Sequence, residues 1–394
     1  MSLKFNRILP KATRSKLSFV HWAQTPFAYL DNVRHFEQIQ STPLKFDESN
    51  APIFIIGHFR SGTTYLHNIM AHNPSVLYPT LHTNLNSESY ISGDKILKRV
   101  WSSTFPTFWS TGTRGFDNVK LTLDSPAEDE ILSEIPLGTA WHYNSKYHMA
   151  DLSGGEWERI YCKRLKKLLY HNQLQKDNSS LTAVNNPRLI LKAPSHCLKI
   201  PSLLELFPNA KFIHIHRNPV DVIQSYIHLL KYDDGITNEF DENEEYFNQA
   251  IETYSHLMKT LMTDLDTNKV FQGKDNQFAE IKYDELMSNP INSLEKVFTD
   301  LNVNDLMCSE IKDYITEQQQ SHTRKVYKPL TESEKQRIET ELGFAFGRWG
   351  YNDVMNRTFM SDGNGNALNN NEQEMNQTDG IEVLQSSSQF YFRN

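Results

Sequence analysis

Cysteine is scarce in this sequence, with three residues among 394: Cys162, Cys197 and Cys308. They are far apart and form no paired spacing, so the sequence predicts neither a disulfide framework nor a zinc site. Reduced, separate thiols are typical of proteins in a reducing compartment. We therefore expect a cytoplasmic protein.

Long apolar runs are also missing. No run reaches the length of a transmembrane helix, and the first thirty residues lack the apolar stretch of a signal peptide. We expect no integral membrane segment. The basic and aromatic residues of the first fifty positions fit a helix packed on the main domain, with a membrane-surface helix as the alternative. The net charge of −8 gives no basic surface, so nucleic acid is not an expected partner.

A lysine is missing where a phosphate-binding loop often has one. The apolar run 53–56 predicts a buried strand that Gly57 ends, and helical periodicity begins at Thr63. A strand, turn and helix in this order present backbone N–H groups to an anion. Gly57 and Gly62 have the spacing of a Walker A loop, but Thr63 stands in place of its lysine. The cation here is Arg60, before the second glycine, so the loop fits a phosphate-like group other than the usual triphosphate.

A second strand, turn and helix follow later in the chain. Residues 212–215 predict a strand that Arg217 closes, and Pro219 pre-sets the first turn of a helix. Ser225 lies two turns into that helix. Because the arginine fork matches phosphate geometry, this segment indicates a second anion site.

Together the two segments resemble those of the sulfotransferases that use 3′-phosphoadenosine-5′-phosphosulfate (PAPS). Their 5′-phosphosulfate loop is similar to Arg60, Ser61, Gly62, Thr63 and Thr64. Their 3′-phosphate clamp is similar to Arg217, Asn218, Pro219, Asp221 and Ser225. The resemblance implies PAPS as co-substrate and 3′-phosphoadenosine-5′-phosphate as product. It implies no metal, because a sulfuryl group carries less charge than a terminal phosphoryl group.

One candidate for the catalytic base is a histidine. Lys192 resembles the strand-end lysine of cytosolic sulfotransferases, which touches the transferring group. When Lys192 and Pro201 are aligned with that family, Pro194 falls where the family has its catalytic histidine. His196 lies two residues later and is the histidine candidate.

The other candidates are glutamates. Glu128 and Glu130 belong to the acidic run 124–130, which is similar to a run in sulfotransferase branches that use glutamate as base. Either a neutral histidine or a glutamate can accept the acceptor's proton. The alternative for this run is a solvated acidic helix start.

Each of three further features allows two interpretations. Tyr283 resembles a tyrosine near the adenine of related enzymes, or it is a core tyrosine at a strand end. Arg324 and Lys325 contribute to the 3′-phosphate, or they belong to a charged linker. His214 and His216 share one face of a strand but have no third ligand of evident spacing, so we interpret them as structural.

Strands alternate with helices along the chain, which predicts an α/β fold with a central parallel sheet and helices on both faces. The resemblance makes this a P-loop-type three-layer sandwich. We expect an N-terminal helical extension (1–50), a sulfotransferase domain (51–357) and a disordered Asn/Gln/Ser-rich tail (358–394).

The expected reaction is in-line transfer of a sulfuryl group from PAPS to a hydroxyl or amine. The acceptor is a small molecule or a carbohydrate, and residues 75–150 are expected to form loops and short helices over its site. A P-loop kinase or nucleotidase is one rival hypothesis, and a non-catalytic nucleotide-binding protein is the other. The sequence does not indicate an oligomeric state.

Overall fold

A parallel sheet forms the centre of the protein. The computed structural model describes residues 11–105, 121–129, 155–177, 184–233, 244–319, 327 and 330–353. Its strands are β1 (Ile53–Ile56), β2 (Val76–Leu77), β3 (Arg188–Lys192), β4 (Lys211–His216) and β5 (Phe278–Lys282). All pair in parallel, in the order β2-β3-β1-β4-β5.

Helices connect and cover these strands. In chain order they are α1 (Lys11–Arg34), α2 (Phe36–Ser41), α3 (Thr63–Met70), α4 (Leu81–Leu85), α5 (Tyr90–Thr104), α6 (Glu156–Asp177), α7 (Ile200–Leu206), α8 (Pro219–Asp233), α9 (Glu244–Met262), α10 (Tyr283–Ser288), α11 (Pro290–Asp300), α12 (Ser309–Gln319) and α13 (Glu332–Arg348). Short 3₁₀ turns lie at Pro194–Leu198 and Asn304–Leu306, and a π turn at Thr263–Thr267 extends α9.

Strand β1 shows how the core divides into two. Its four residues are completely buried, and their side chains alternate between the faces of the sheet. Ile53 and Ile55 join a cluster with α3, α10, α11 and α12. Phe54 and Ile56 join a second cluster with α6, α7, α8, α9 and α13. A sheet between two helical layers is the three-layer α/β fold predicted from the sequence, and that prediction is confirmed.

The register of the strands brings their carboxyl ends to one edge. Ile55 pairs with Lys192, Ile56 with His214, and His216 with Lys282. The segments that follow β1, β3, β4 and β5 therefore leave the sheet side by side. This edge is where ligands bind in open α/β sheets.

Two predictions about individual elements need correction. Tyr283 is the first residue of α10 rather than the end of a strand. The region predicted as loops and short helices contains strand β2 and the 15-residue helix α5. The predicted N-terminal helix is α1, which packs on α5 through bonds from the Ile91 and Ser92 amides to the Asp31 carboxylate.

The domain boundaries stay a prediction, and residues 358–394 lie outside the described residues. Among the helices that the structure describes, none combines the length and the apolar character that crossing a bilayer requires.

We predict that Gly57→Ala destabilises the protein by about 3 kcal/mol, through backbone strain and overpacking. Gly57 has φ +148°, and a Cβ there would lie 2.4 Å from the Ile215 carbonyl oxygen. The matched control is Gly343→Ala in α13, where nothing lies within 4 Å of the added Cβ. That change should stabilise by up to about 1 kcal/mol. Urea unfolding measures both, and equal effects would contradict the prediction.

Candidate active site

The turn after β1 is tight and has an unusual backbone. Gly57, Arg60 and Gly62 have φ values of +148°, +68° and +108°. Gly62 is the N-cap residue of α3, and a Cβ there would lie 2.5 Å from the Tyr283 ring. Glycine at both positions lets the turn lie directly against β4 and α10. Arg60 is held in the left-handed region, which non-glycine residues seldom adopt.

The start of α3 offers donors to an anion. The first intrahelical bond runs from the Leu66 amide to the Gly62 carbonyl at 3.1 Å. The amides of residues 63–65 precede it and have no acceptor within the helix. The Ser61 amide donates to the His58 carbonyl at 3.1 Å. The buried Ser61 hydroxyl, in contrast, has no hydrogen-bond partner among the described residues.

The second predicted anion site lies at the end of β4. The Asn218 side chain accepts from the Val220 amide at 3.1 Å and so caps the start of α8. The Arg217 guanidinium lies over the Tyr283 ring, 4.6 Å from its centroid, and one of its nitrogens lies 3.3 Å from Asp221. Its Nε is buried and lacks a partner within the described ranges. Tyr283 thus lies close to both the glycine turn and Arg217.

The two predicted anion sites meet directly. Arg60 Nε donates to Ser225 Oγ at 3.0 Å, although the residues are 165 positions apart in the chain. The Tyr327 hydroxyl donates to the same oxygen, also at 3.0 Å. Ser225 is 2% exposed, so it is fixed where α8 passes the glycine turn. The two predicted sites are therefore direct neighbours in the fold.

Lys192 brings a candidate base to this edge. It is the last residue of β3, its side chain is 3% exposed, and its Nζ lies 2.6 Å from Glu128 Oε1. The Glu128 side chain retains 23% exposure. Its segment is held in place because the Asn84 amide group donates to the Glu128 carbonyl at 2.9 Å. Because the Glu128 carboxylate is partly exposed, it can accept a proton, and the Lys192 ammonium of this ion pair can stabilise negative charge.

The neighbouring residue Asp129 faces the core instead. Its carboxylate accepts from the Tyr161 hydroxyl and lies 2.7 Å from His196 Nε2. Burial alone raises the pKa of Asp129, but His196 and Tyr161 outweigh it and hold that pKa below its usual value. The side chains of Asp129 and His196 are both 0% exposed. The structure therefore does not bring His196 to the surface of the site, where an acceptor could reach it.

Two buried histidines lie beneath the site as neutral groups. Burial lowers the pKa of His58 to about 4, and its ring bonds the Phe59 carbonyl. Burial, with the nearby charge of Lys192, lowers the pKa of His67 to about 3. These two histidines therefore add no positive charge beneath the site near neutral pH.

Some predicted residues fall elsewhere. Glu130, Arg324 and Lys325 lie outside the described residues. His214 bonds Glu280 and His216 bonds Tyr351. In the part of the chain that the structure describes, no cluster of three or more His, Cys, Asp or Glu side chains could hold a metal ion.

Sequence reasoning missed two residues of this region. Asp129 lies between the two candidate glutamates and was not singled out, because an acidic run gives no sign that one of its residues faces the core. Tyr327 adjoins the basic segment that was singled out for Arg324 and Lys325. A tyrosine hydroxyl close in sequence to two cationic residues could have indicated a polar site.

The fold and this edge define a P-loop-like α/β enzyme, and comparison with known proteins identifies its family. Residues 52–305 match the model of the Sulfotransferase family. This range is well over half of the chain, so the protein belongs to the sulfotransferase family and is a sulfotransferase. The resemblance noted in the sequence is thereby confirmed.

Two relatives carry the same name. The chain is 25% identical over 327 residues to omega-hydroxy-beta-dihydromenaquinone-9 sulfotransferase Stf3 of Mycobacterium bovis, covering 77% of this chain and 76% of the relative. The figures for Stf3 of Mycobacterium tuberculosis are the same.

Solved structures have a similar fold at low sequence identity. Sulfotransferase STF9 of Mycobacterium avium superposes with a TM-score of 0.60 at 14% identity, covering 86% of both chains. Sulfotransferase STF1 of Mycobacterium tuberculosis gives 0.54 at 16% identity, covering 84% of this chain and 86% of that one. At these identities the likeness extends to the fold alone.

Proposed function

We propose that the sulfuryl donor is PAPS and that the two anion sites hold the two phosphate-bearing ends of one donor molecule. The observation that carries this proposal is the 3.0 Å bond between Arg60 Nε and Ser225 Oγ, which joins the glycine turn to α8. The family membership supports the same donor.

The residues at the edge fit such a donor. The amides of residues 63–65, the unpartnered Ser61 hydroxyl and Arg60 suit the 5′-phosphosulfate. Arg217, whose buried Nε lacks a partner among the described residues, and Ser225 suit the 3′-phosphate. Tyr283, between the two, offers a ring face to the adenosine.

In the proposed reaction the acceptor oxygen attacks sulfur in line with the leaving phosphate oxygen. The new S–O bond forms as the bond from sulfur to the 5′-phosphate breaks, and the acceptor's proton passes to the Glu128 carboxylate. Lys192 and Arg60 stabilise the negative charge that grows on the bridging oxygen. Lys192, 2.6 Å from Glu128, also orients that carboxylate before the proton arrives.

Glu128 is the proposed base because it is partly exposed beside Lys192. His196 is buried in the core, where it contacts the Asp129 carboxylate. We therefore propose that it helps to position the segment of Glu128 and is not the base. Glu130 remains an untested alternative.

A hydroxyl is the proposed acceptor group. The name of the two Stf3 relatives describes sulfation of an omega-hydroxy dihydromenaquinone. That supports an alcohol on an apolar molecule over an amine or a carbohydrate for this chain. The rival kinase hypothesis is not supported, since the sequence has Thr63 where a kinase loop has its lysine.

Calorimetric titration tests the donor. We expect wild-type protein to bind 3′-phosphoadenosine-5′-phosphate and not ATP with magnesium. Ser225→Ala should weaken binding of the bisphosphate about tenfold and Arg217→Ala about a hundredfold, since each removes hydrogen bonds to a charged group.

The matched control for Arg217→Ala is Arg337→Ala in α13, where the arginine bonds Asn248 and Glu341. It should leave affinity unchanged. Circular dichroism establishes that each variant is folded. Tight ATP binding with no affinity for the bisphosphate would exclude PAPS as the donor.

The role of Glu128 is tested by Glu128→Gln. We expect turnover to fall about a hundredfold or more, because a neutral amide cannot accept the proton, with the KM for PAPS nearly unchanged. The measurement is bisphosphate release from PAPS across a panel of long-chain alcohols. Asp124→Asn is the control in the same segment, since the Asp124 side chain is 71% exposed and pairs with Lys98. Wild-type turnover in Glu128→Gln would refute this role.

A further inference from the structure

Helix α1 packs one of its faces against α5. Its Asp31 carboxylate accepts from the first amides of α5 at 2.7 and 3.1 Å, and its Phe27 lies against Gly93 of that helix. Val20 joins Trp101 in a small buried cluster. These contacts run along the helix and fix one face of α1 against α5.

The opposite face of α1 is aromatic and exposed. Phe19, Trp22, Tyr29 and Val33 are 51%, 71%, 68% and 61% exposed. At about 100° per residue these four positions fall within a sector of about 80° on the helix, so they form one stripe. We call them the aromatic stripe. The other large apolar side chains exposed among the described residues are Phe36 on α2 and Ile96 on α5.

Exposed cations lie on the same pair of helices. The exposed charged residues that the structure describes on α1 and α5 are Lys16, Arg34, Lys95 and Arg99. The acids of these two helices are in ion pairs. Asp31 pairs with the buried Lys167, and Asp94 lies 3.1 Å from His82 and 3.5 Å from Lys98. Lys98 also pairs with the exposed Asp124. The following helix, α2, adds one exposed carboxylate, Glu37. In a chain with a net charge of −8, this helix pair presents a cationic surface.

We propose that the aromatic stripe and these cations dock the protein on the surface of an anionic lipid bilayer. Amphipathic helices with aromatic residues on one face and Lys or Arg beside them lie in the plane of the membrane interface. Trp and Tyr suit that boundary because their rings are apolar and their polar atoms reach water. The cations are attracted to acidic headgroups.

A short series of contacts joins helix α1 to the proposed base. Gln24 of α1 donates to the Leu85 carbonyl of α4 at 3.1 Å, and Asn84 of α4 donates to the carbonyl of Glu128. Docking itself does not depend on the identity of the donor or of the base.

Vesicle flotation tests the proposal with the full-length protein. We expect wild-type protein to float with phosphatidylcholine vesicles that contain phosphatidylglycerol, and less with pure phosphatidylcholine. The double variant Trp22→Ser/Tyr29→Ser should lower the partition coefficient about tenfold by removing the apolar anchors. Lys95→Glu/Arg99→Glu should lower it by a similar factor and remove the preference for the anionic lipid.

Two matched variants serve as controls. Trp22→Phe should retain binding, because it keeps an aromatic anchor. Lys296→Glu, at an exposed lysine of α11, reverses a charge outside this helix pair and should bind like the wild type. Unchanged affinity for 3′-phosphoadenosine-5′-phosphate in every variant would establish that the fold and the donor site are intact.

Absence of wild-type flotation would overturn the proposal, as would equal binding by the stripe variant. Light scattering tests the other occupant, a second copy of the chain. A wild-type dimer that becomes a monomer in Trp22→Ser/Tyr29→Ser, with no flotation by either, would assign the stripe to self-association instead.

Discussion

The close approach of the glycine turn to its neighbours is the constraint on which the site depends. Gly57 lies against the Ile215 carbonyl of β4, and Gly62 lies against the ring of Tyr283. Because neither position has room for a side chain, only glycine lets the turn lie this close to β4 and α10. Arg60 then reaches Ser225 on α8, and helix α3 starts directly after the turn. The two proposed anion sites, from distant parts of the chain, are thereby joined.

The proposed base depends on a division of roles between adjacent residues. Asp129 is anchored in the core by His196 and Tyr161, and its amide donates to the Lys192 carbonyl at 3.3 Å. Glu128, one position earlier, is thereby directed to the Lys192 ammonium. A buried carboxylate that two side chains hold in place is costly to disturb, so the Asp129 network fixes the backbone from which Glu128 projects. In this arrangement His196 helps to position the proposed base, Glu128, through Asp129 and does not contact the acceptor.

Local patterns in the sequence predicted most of the fold. The apolar strands and the two glycines were visible because each signal lies within about twenty residues. Helix α5 was missed although Tyr90, Gly93, Leu97 and Trp101 follow a helical period, since its exposed side is rich in Ser and Lys. The pairing of His196 with Asp129 could not be predicted, because the partners are 67 residues apart and only the folded chain brings them together. The contact of Tyr327 with Ser225 was hidden for the same reason.

The most direct test of a single donor bound by both anion sites is a crystal structure with 3′-phosphoadenosine-5′-phosphate. We predict one nucleotide whose 5′-phosphate accepts from the amides at the start of α3 and whose 3′-phosphate contacts Arg217 and Ser225. A nucleotide that contacts only one of these groups, or that lies away from the carboxyl edge of β1 and β4, would contradict this account.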